Sequence, residues 1–336
     1  MSPFAANQAV VRQVAALSGS PLFAPALEML IETNMVIARQ RRLQQRLVGF
    51  GGRGKANRRV EREQLARVAL DPAKASGHPK VWWHEGGSGP PLVLLNGWTA
   101  SGLMWPAAFV AELEASHRVI RIDNRGTGYS RTAPAPYLIR TLADDAAQVL
   151  RATTPGAAIV VGLSMGGMIA QELTIRNPAL VRRLVLVGTR PPAPAHIDAA
   201  PDVLSRATAT ARAGESIENF IADMWSCFCA PGFDRVEHRA SLDDLIEQVL
   251  RRVTPRSAVN HQMQAIAAWH GPGRLGQVRC PTTVVHGDAD RLMPVGNGTR
   301  LAQLIPDARY VELANVGHIV PMEAGPDLVS IIDRGG

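Results

Sequence analysis

Ala158-Ile159-Val160-Val161-Gly162-Leu163-Ser164-Met165-Gly166-Gly167 is the stretch whose reading decides the fold. An apolar run, Ala158–Val161, leads into a serine flanked by glycines, and a helical segment, Met168–Arg176, follows. G-x-S-x-G between a strand and a helix marks a sharp turn that presents a serine hydroxyl. Such a turn forces its neighbours together, and only residues without a Cβ fit beside the serine. The start of the next helix aims free N–H groups at the place where an oxyanion would form. The competing reading is a glycine-rich turn with an incidental serine. The strand before it and the helix after it argue against that.

Outward from this turn the texture repeats. Apolar runs recur at Leu92–Leu95, Val119–Ile122, Ile159–Val161, Leu184–Val187, Thr283–Val285 and Tyr310–Leu313. Several are continuous and Val/Ile-rich, as strands buried on both faces of a parallel sheet should be. Helical stretches such as Leu142–Leu150 lie between them. The alternation predicts an α/β fold with a doubly wound, mostly parallel sheet. Val81–Glu85 reads as an extra early strand, closed by the turn at Gly86–Pro91. The pattern breaks between about Arg190 and Gly276, where a Pro-rich linker precedes mostly helical sequence. The expected organisation is an N-terminal helical extension over 1–76, a core over 77–189 and 276–336, and a helical insertion over 190–275.

Charge separates the extension from the rest. The chain has 336 residues, 46% of them hydrophobic, and a net charge of +7. Residues 1–76 hold 12 Lys/Arg against 5 Asp/Glu, and the remainder is balanced at 24 of each. The spacing predicts helices over Pro21–Val48 and Asn57–Leu70 in this basic segment. Its arginines leave peripheral contact with an anionic membrane surface open. The plainer reading is a hairpin covering the core, and nothing beyond charge supports nucleic-acid binding. Cys227, Cys229 and Cys280 cannot form a disulfide framework, which suits a reducing compartment. No leader pattern or window of about 18 uncharged apolar residues is present, so a cytoplasmic protein is expected.

A serine hydroxyl is a weak nucleophile and needs a base, which in turn needs an orienting carboxylate. Two loops after Ser164 offer them in the expected order, acid then histidine. Gly287-Asp288-Ala289-Asp290 follows the run ending at Val285, and Val316-Gly317-His318 follows the run ending at Leu313. Both sit past the C-terminal ends of predicted strands, the edge where α/β sheets place their sites.

From about residue 80 onward the chain resembles the α/β-hydrolase superfamily. The motifs that carry the resemblance are Gly162–Gly167, the run Gly287-Asp288-Ala289-Asp290-Arg291-Leu292-Met293-Pro294, and Asn315-Val316-Gly317-His318. The resemblance implies a catalytic triad of Ser164, Asp290 and His318. The acid four residues before the proline is Asp290, which leaves Asp288 a turn residue. It also implies an oxyanion hole from the backbone N–H groups of Trp98 and Met165. Asn96 stands where the family usually has histidine, so an amide must hold that loop. Asp123-Asn124-Arg125-Gly126-Thr127-Gly128-Tyr129-Ser130 resembles a family loop expected to brace the nucleophile turn. By its position the insertion over 190–275 would be a lid, with Met224, Trp225, Phe228, Phe233, Met263 and Trp269 as candidate lining residues.

The implied activity is serine-dependent hydrolysis of a carboxylic ester or lactone, a small acyl substrate, with no cofactor and no metal. Carbon–carbon bond hydrolysis, thioester cleavage and acyl transfer use the same residues, and a non-catalytic ligand-binding protein is the alternative of another class. Aspartate-nucleophile reactions of the fold are disfavoured by the serine. Two motifs are decoys. Gly49–Ala56 nearly spells a phosphate-binding loop, but Ala56 lacks the hydroxyl that Mg²⁺ needs and no strand precedes it. Cys227-Phe228-Cys229 has no second pair at metal-ligand spacing. His84, His117, His261, His270 and His286 are not read as the base: His286 precedes the acid loop, His84 and His117 lie near strand starts, and His261 and His270 fall in the insertion.

Overall fold

The computed structural model describes residues 81–130, 133, 137–203 and 215–334. The two helices expected in the basic extension, and the run Gly49–Ala56, lie outside the described residues. The core is a seven-stranded sheet: β1 (Trp83–Gly86), β2 (Pro91–Leu95), β3 (Arg118–Ile122), β4 (Ala158–Leu163), β5 (Val181–Val187), β6 (Thr282–Gly287) and β7 (Arg309–Leu313). Its order is β1-β3-β2-β4-β5-β6-β7. Every pairing is parallel except β1 with β3, which run antiparallel from Trp83↔Ile122 to Gly86↔Val119.

Side-chain alternation assigns each residue to a face. Leu92, Leu94, Ile159, Val161, Leu163, Val185 and Val187 pack on one face, under α1 (Ala107–Glu114) and the C-terminal helix. Val93, Leu95, Ala158, Val160, Leu184 and Leu186 pack on the other. There they meet α2 (Ile139–Thr153) and α3 (Met165–Arg176), through residues such as Leu142, Met168 and Leu173. All six residues of β4 are buried, as a strand covered on both faces requires. Burying each such Leu or Val side chain contributes about 1.5–3 kcal/mol.

The described part of 190–275 contains α4 (Ile217–Ser226), α5 (Arg239–Arg251) and α6 (Arg256–Ala267). The stretch leaves and rejoins the core through one narrow stem. Ala193 pairs with His270 in a parallel bridge, with Ala193 N donating to Trp269 O at 3.1 Å and Gly271 N to Ala193 O at 3.2 Å. Glu172 of α3 locks this stem by accepting from Trp269 Nε1 at 3.1 Å and Arg274 Nη1 at 2.8 Å. The chain then enters β6, α7 (Gly296–Leu304), β7, the short helix α8 (Val320–Glu323) and α9 (Gly325–Arg334). Among the described residues no helix is long and apolar enough to cross a membrane.

Candidate active site

The C-terminal ends of β2, β4, β5, β6 and β7 bring the singled-out residues to one edge of the sheet. Ser164 sits between β4 and α3 with φ 56° and ψ −121°, a left-handed conformation that costs a non-glycine residue on the order of 1–3 kcal/mol. The surrounding packing holds it there. A Cβ on Gly162 would lie 2.4 Å from Gly166 O, and one on Gly166 would lie 1.9 Å from Leu95 O. Both glycines are therefore required by backbone contact, as the sequence motif implied. Ser164 N donates to Val187 O at 3.0 Å, and Thr189 Oγ1 donates to Ser164 O at 2.6 Å.

Asp290 and His318 meet beside this turn. His318 Nδ1 lies 2.7 Å from Asp290 Oδ2, and both side chains are buried. The pair packs on Gly188, the residue after the one that accepts the Ser164 N–H. A Cβ on Gly188 would sit 3.4 Å from both Asp290 Oδ2 and His318 Nδ1. The other Asp290 oxygen accepts from Leu292 N at 2.9 Å and Met293 N at 2.7 Å. Burial alone would raise the Asp290 carboxyl, but His318 beside it and hydrogen bonds from His286 and His318 hold it below the ordinary carboxylate range. Asp290 is thus held as a carboxylate facing an imidazole N–H. Asp288 lies outside this pair and instead accepts from Asn315 N at 2.7 Å, a turn contact.

The loop after β2 forms the other wall. Asn96 Nδ2 donates to Ser101 O at 3.0 Å and Asn96 Oδ1 accepts from Gly97 N at 2.8 Å, so its amide closes the loop on itself. Asn124 Nδ2 adds a bond to Asn96 O at 3.0 Å. Among the described residues neither the Trp98 nor the Met165 backbone N–H donates a hydrogen bond. Thr99 has φ 63° and is clamped by α6 and the segment before it: its N–H donates to Gln262 Oε1 at 2.9 Å, and its carbonyl accepts from Thr254 Oγ1 at 2.8 Å. Trp98 Nε1 donates to Val259 O at 3.2 Å.

The Asp123–Ser130 loop departs from expectation. It braces the β2 loop rather than the nucleophile turn: Asp123 Oδ1 accepts from Gly102 N at 2.7 Å, and Oδ2 accepts from Tyr129 N at 2.7 Å. Arg125 forms a two-pronged pair with Asp145 of α2. The insertion residues also divide. Trp225 lines an apolar cavity of about 20 Å³ with Asn96, Leu163, Leu245, Ile319 and Met322, room for one or two waters. Phe228 sets its ring 6.4 Å from that of His318, while Trp269 belongs to the main core.

His286 is the residue that sequence reading undervalued. It is fully buried, with Nε2 2.6 Å from Met293 O and 3.4 Å from Asp290 Oδ2. Among the described residues its Nδ1 has no hydrogen-bond partner, so the proton belongs on Nε2, facing the acid loop. The signal was its position four residues before Asp290. Three other histidines sit in packing or polar contacts away from this pair: His84 contacts Asp123, His117 faces Asp333, and His261 packs edge-on against Tyr137. Among the described residues no group of three His, Cys, Asp or Glu could hold a metal ion.

Residues 90–210 match the family model for the alpha/beta hydrolase fold. A pimeloyl-[acyl-carrier protein] methyl ester esterase of Chromobacterium violaceum is 31% identical over 243 residues, covering 69% of this chain and 88% of that one. The rhodomycin D methylesterase DnrP of Streptomyces peucetius is 30% identical over 279 residues, 74% of this chain and 93% of that one. The crystal structure of an enol-lactonase from Burkholderia xenovorans superposes with a TM-score of 0.63 at 25% identity, covering 76% of this chain and 95% of that one. With a seven-stranded sheet of this order and relatives of this coverage, the chain belongs to the α/β-hydrolase family.

Proposed function

We propose that this protein hydrolyses a carboxylic ester or lactone through an acyl-enzyme on Ser164, with His318 as general base and Asp290 as its orienting acid. Ester hydrolysis itself rests on the family and on relatives named as methyl ester esterases and an enol-lactonase. The observation that carries the mechanism is the buried Asp290–His318 pair at 2.7 Å, packed against Gly188 next to the residue that holds Ser164.

With Nδ1 bonded to Asp290, His318 has Nε2 free for the serine proton. Ser164 Oγ attacks the carbonyl carbon as its proton passes to His318. The carbonyl oxygen gains negative charge, which the N–H groups of Trp98 and Met165 stabilise. Collapse breaks the C–O bond, and the leaving alcohol takes the proton from His318. Water, deprotonated by His318, attacks the acyl-enzyme, and its breakdown returns the proton to Ser164. No step needs a cofactor or metal. The insertion over 190–275 acts as a lid whose apolar side chains shape the pocket.

A fluorophosphonate probe tests the nucleophile. Wild type should label, and Ser164→Ala should not; labelling that persists in the variant removes Ser164 from this role. Turnover of methyl esters, longer alkyl esters, lactones, thioesters and carbamates then ranks the substrate. Addition of alcohol acceptors separates hydrolysis from acyl transfer.

A further inference from the structure

Glu323, at the end of α8, takes no part in the chemistry above, yet it gathers three backbone donors. Its Oε2 accepts from Gly317 N at 2.9 Å and from Ala230 N at 2.7 Å, and its Oε1 accepts from Ile319 N at 3.2 Å. Gly317 and Ile319 flank His318. Ala230 belongs to the insertion. His318 N itself donates to Phe228 O at 2.7 Å. The fit is close: a Cβ on Gly317 would fall 2.4 Å from Ala230 N, 2.5 Å from Cys229 C and 2.7 Å from Phe228 O. Three successive backbone N–H groups of the base loop, 317 to 319, therefore end on Glu323 or on the insertion.

We propose that Glu323 is a positioning residue that ties the loop bearing His318 to residues 228–230, so that seating of the 190–275 insertion sets the placement of the base. This rests on the reading of His318 as the general base. A carboxylate suits the task because two oxygens offer enough lone pairs for three N–H groups. An amide of the same shape replaces one oxygen with a donor and leaves at least one N–H facing it. Burial pushes the Glu323 carboxyl up, while the N–H groups of Ala230, Gly317 and Ile319 and the nearby His318 oppose that rise. Phe228 carries the connection further, since its ring meets both His318 and Trp225, the cavity-lining residue.

The test uses the full chain with Glu323→Gln, Gly317→Ala and the double variant. Kinetics on a turned-over ester are read beside the melting temperature. Misplacement of a reacting group by about 1 Å costs on the order of 100-fold, so each single variant should lower kcat by about 10- to 100-fold while KM changes little. The double variant should be no slower than the slower single, because both cut one connection. A folded Glu323→Gln with wild-type kcat, or a double variant in which the two losses multiply, overturns the proposal. If Glu323→Gln does not fold, Gly317→Ala decides on the same kcat criterion, since it leaves the carboxylate in place. Failure of the underlying reading looks different: wild type would then show no turnover dependent on Ser164 and His318.

Discussion

The nucleophile turn and the loop after β2 face each other across the site, but they are held in different ways. Ser164 is fixed by the core: β4 behind it, Gly166 of α3 against Leu95 O, its N–H on Val187 O of β5 and its carbonyl on Thr189 Oγ1. Thr99 and Trp98 are fixed from above, by Gln262, Thr254 and Val259 of the insertion. The base loop shares the second arrangement through Phe228 and Ala230. The nucleophile is thus built into the core, while the loops of the proposed oxyanion donor and base are also bonded to the insertion. Core-held groups fix which chemistry is available. Insertion-held groups place the loops that flank it.

The largest effects should fall on the core-held half. Asp290→Asn keeps the shape of the acid and loses the charge that orients His318. The expected loss in kcat is about 10⁴-fold, as for a triad whose histidine takes the wrong tautomer. Loss of less than about tenfold would break the comparison, because the acid would then be dispensable. Steady-state kinetics on an active-site-titrated sample checks it.

Next comes the loop after β2. Asn96→Ala removes both the bond to Ser101 O and the acceptor for Gly97 N, which lets the Trp98 N–H drift. Removal of one oxyanion donor costs on the order of 10²–10³ in kcat, and an indirect loss should come near the lower figure. Gln262→Leu acts on the same loop from the insertion. It frees Thr99 N and the Arg125 carbonyl, its partner at 2.7 Å. A smaller drop, about tenfold in kcat, is expected from a loop that is loosened rather than lost. If Gln262→Leu proves as damaging as Asn96→Ala, the insertion governs the loop more than its own amide does. If it has no effect, the loop belongs with the core-held half.

Legibility in the sequence followed the same division. The strands, the G-x-S-x-G turn and the two loops that bring Asp290 and His318 together were readable because each is a local signal, a run or a turn within ten residues. Gln262 and Glu323 were not readable. Gln262 contacts Thr99 and Arg125 across 163 and 137 positions of sequence, and Glu323 reaches Ala230 across 93. No periodicity encodes such pairs. The misreading of Asp123 has the same origin. The motif marks a braced loop, but which neighbour is braced depends on where Gly102 lies in space.

The smallest effect is on stability, and its sign can be worked out. The Asp290 carboxyl is held below its ordinary range despite burial, because His318 and His286 favour the charged form. A depressed carboxylate stabilises the folded state above the unfolded-state value, about pH 4, and that contribution is lost as pH falls through the folded value. Asp290→Asn cannot titrate, so its melting temperature should fall less steeply than that of wild type as pH drops below about 4. The offset between the two proteins at neutral pH carries little information, because replacing a buried charge can raise or lower stability. The slope is the measurement. Parallel melting curves down to pH 2.5 would mean that the carboxylate is no more favoured in the fold than in the open chain, and that His286 does nothing for it. A steeper wild-type curve that becomes shallower in His286→Phe would assign part of the depression to His286, the neighbour whose Nε2 lies 3.4 Å from the acid.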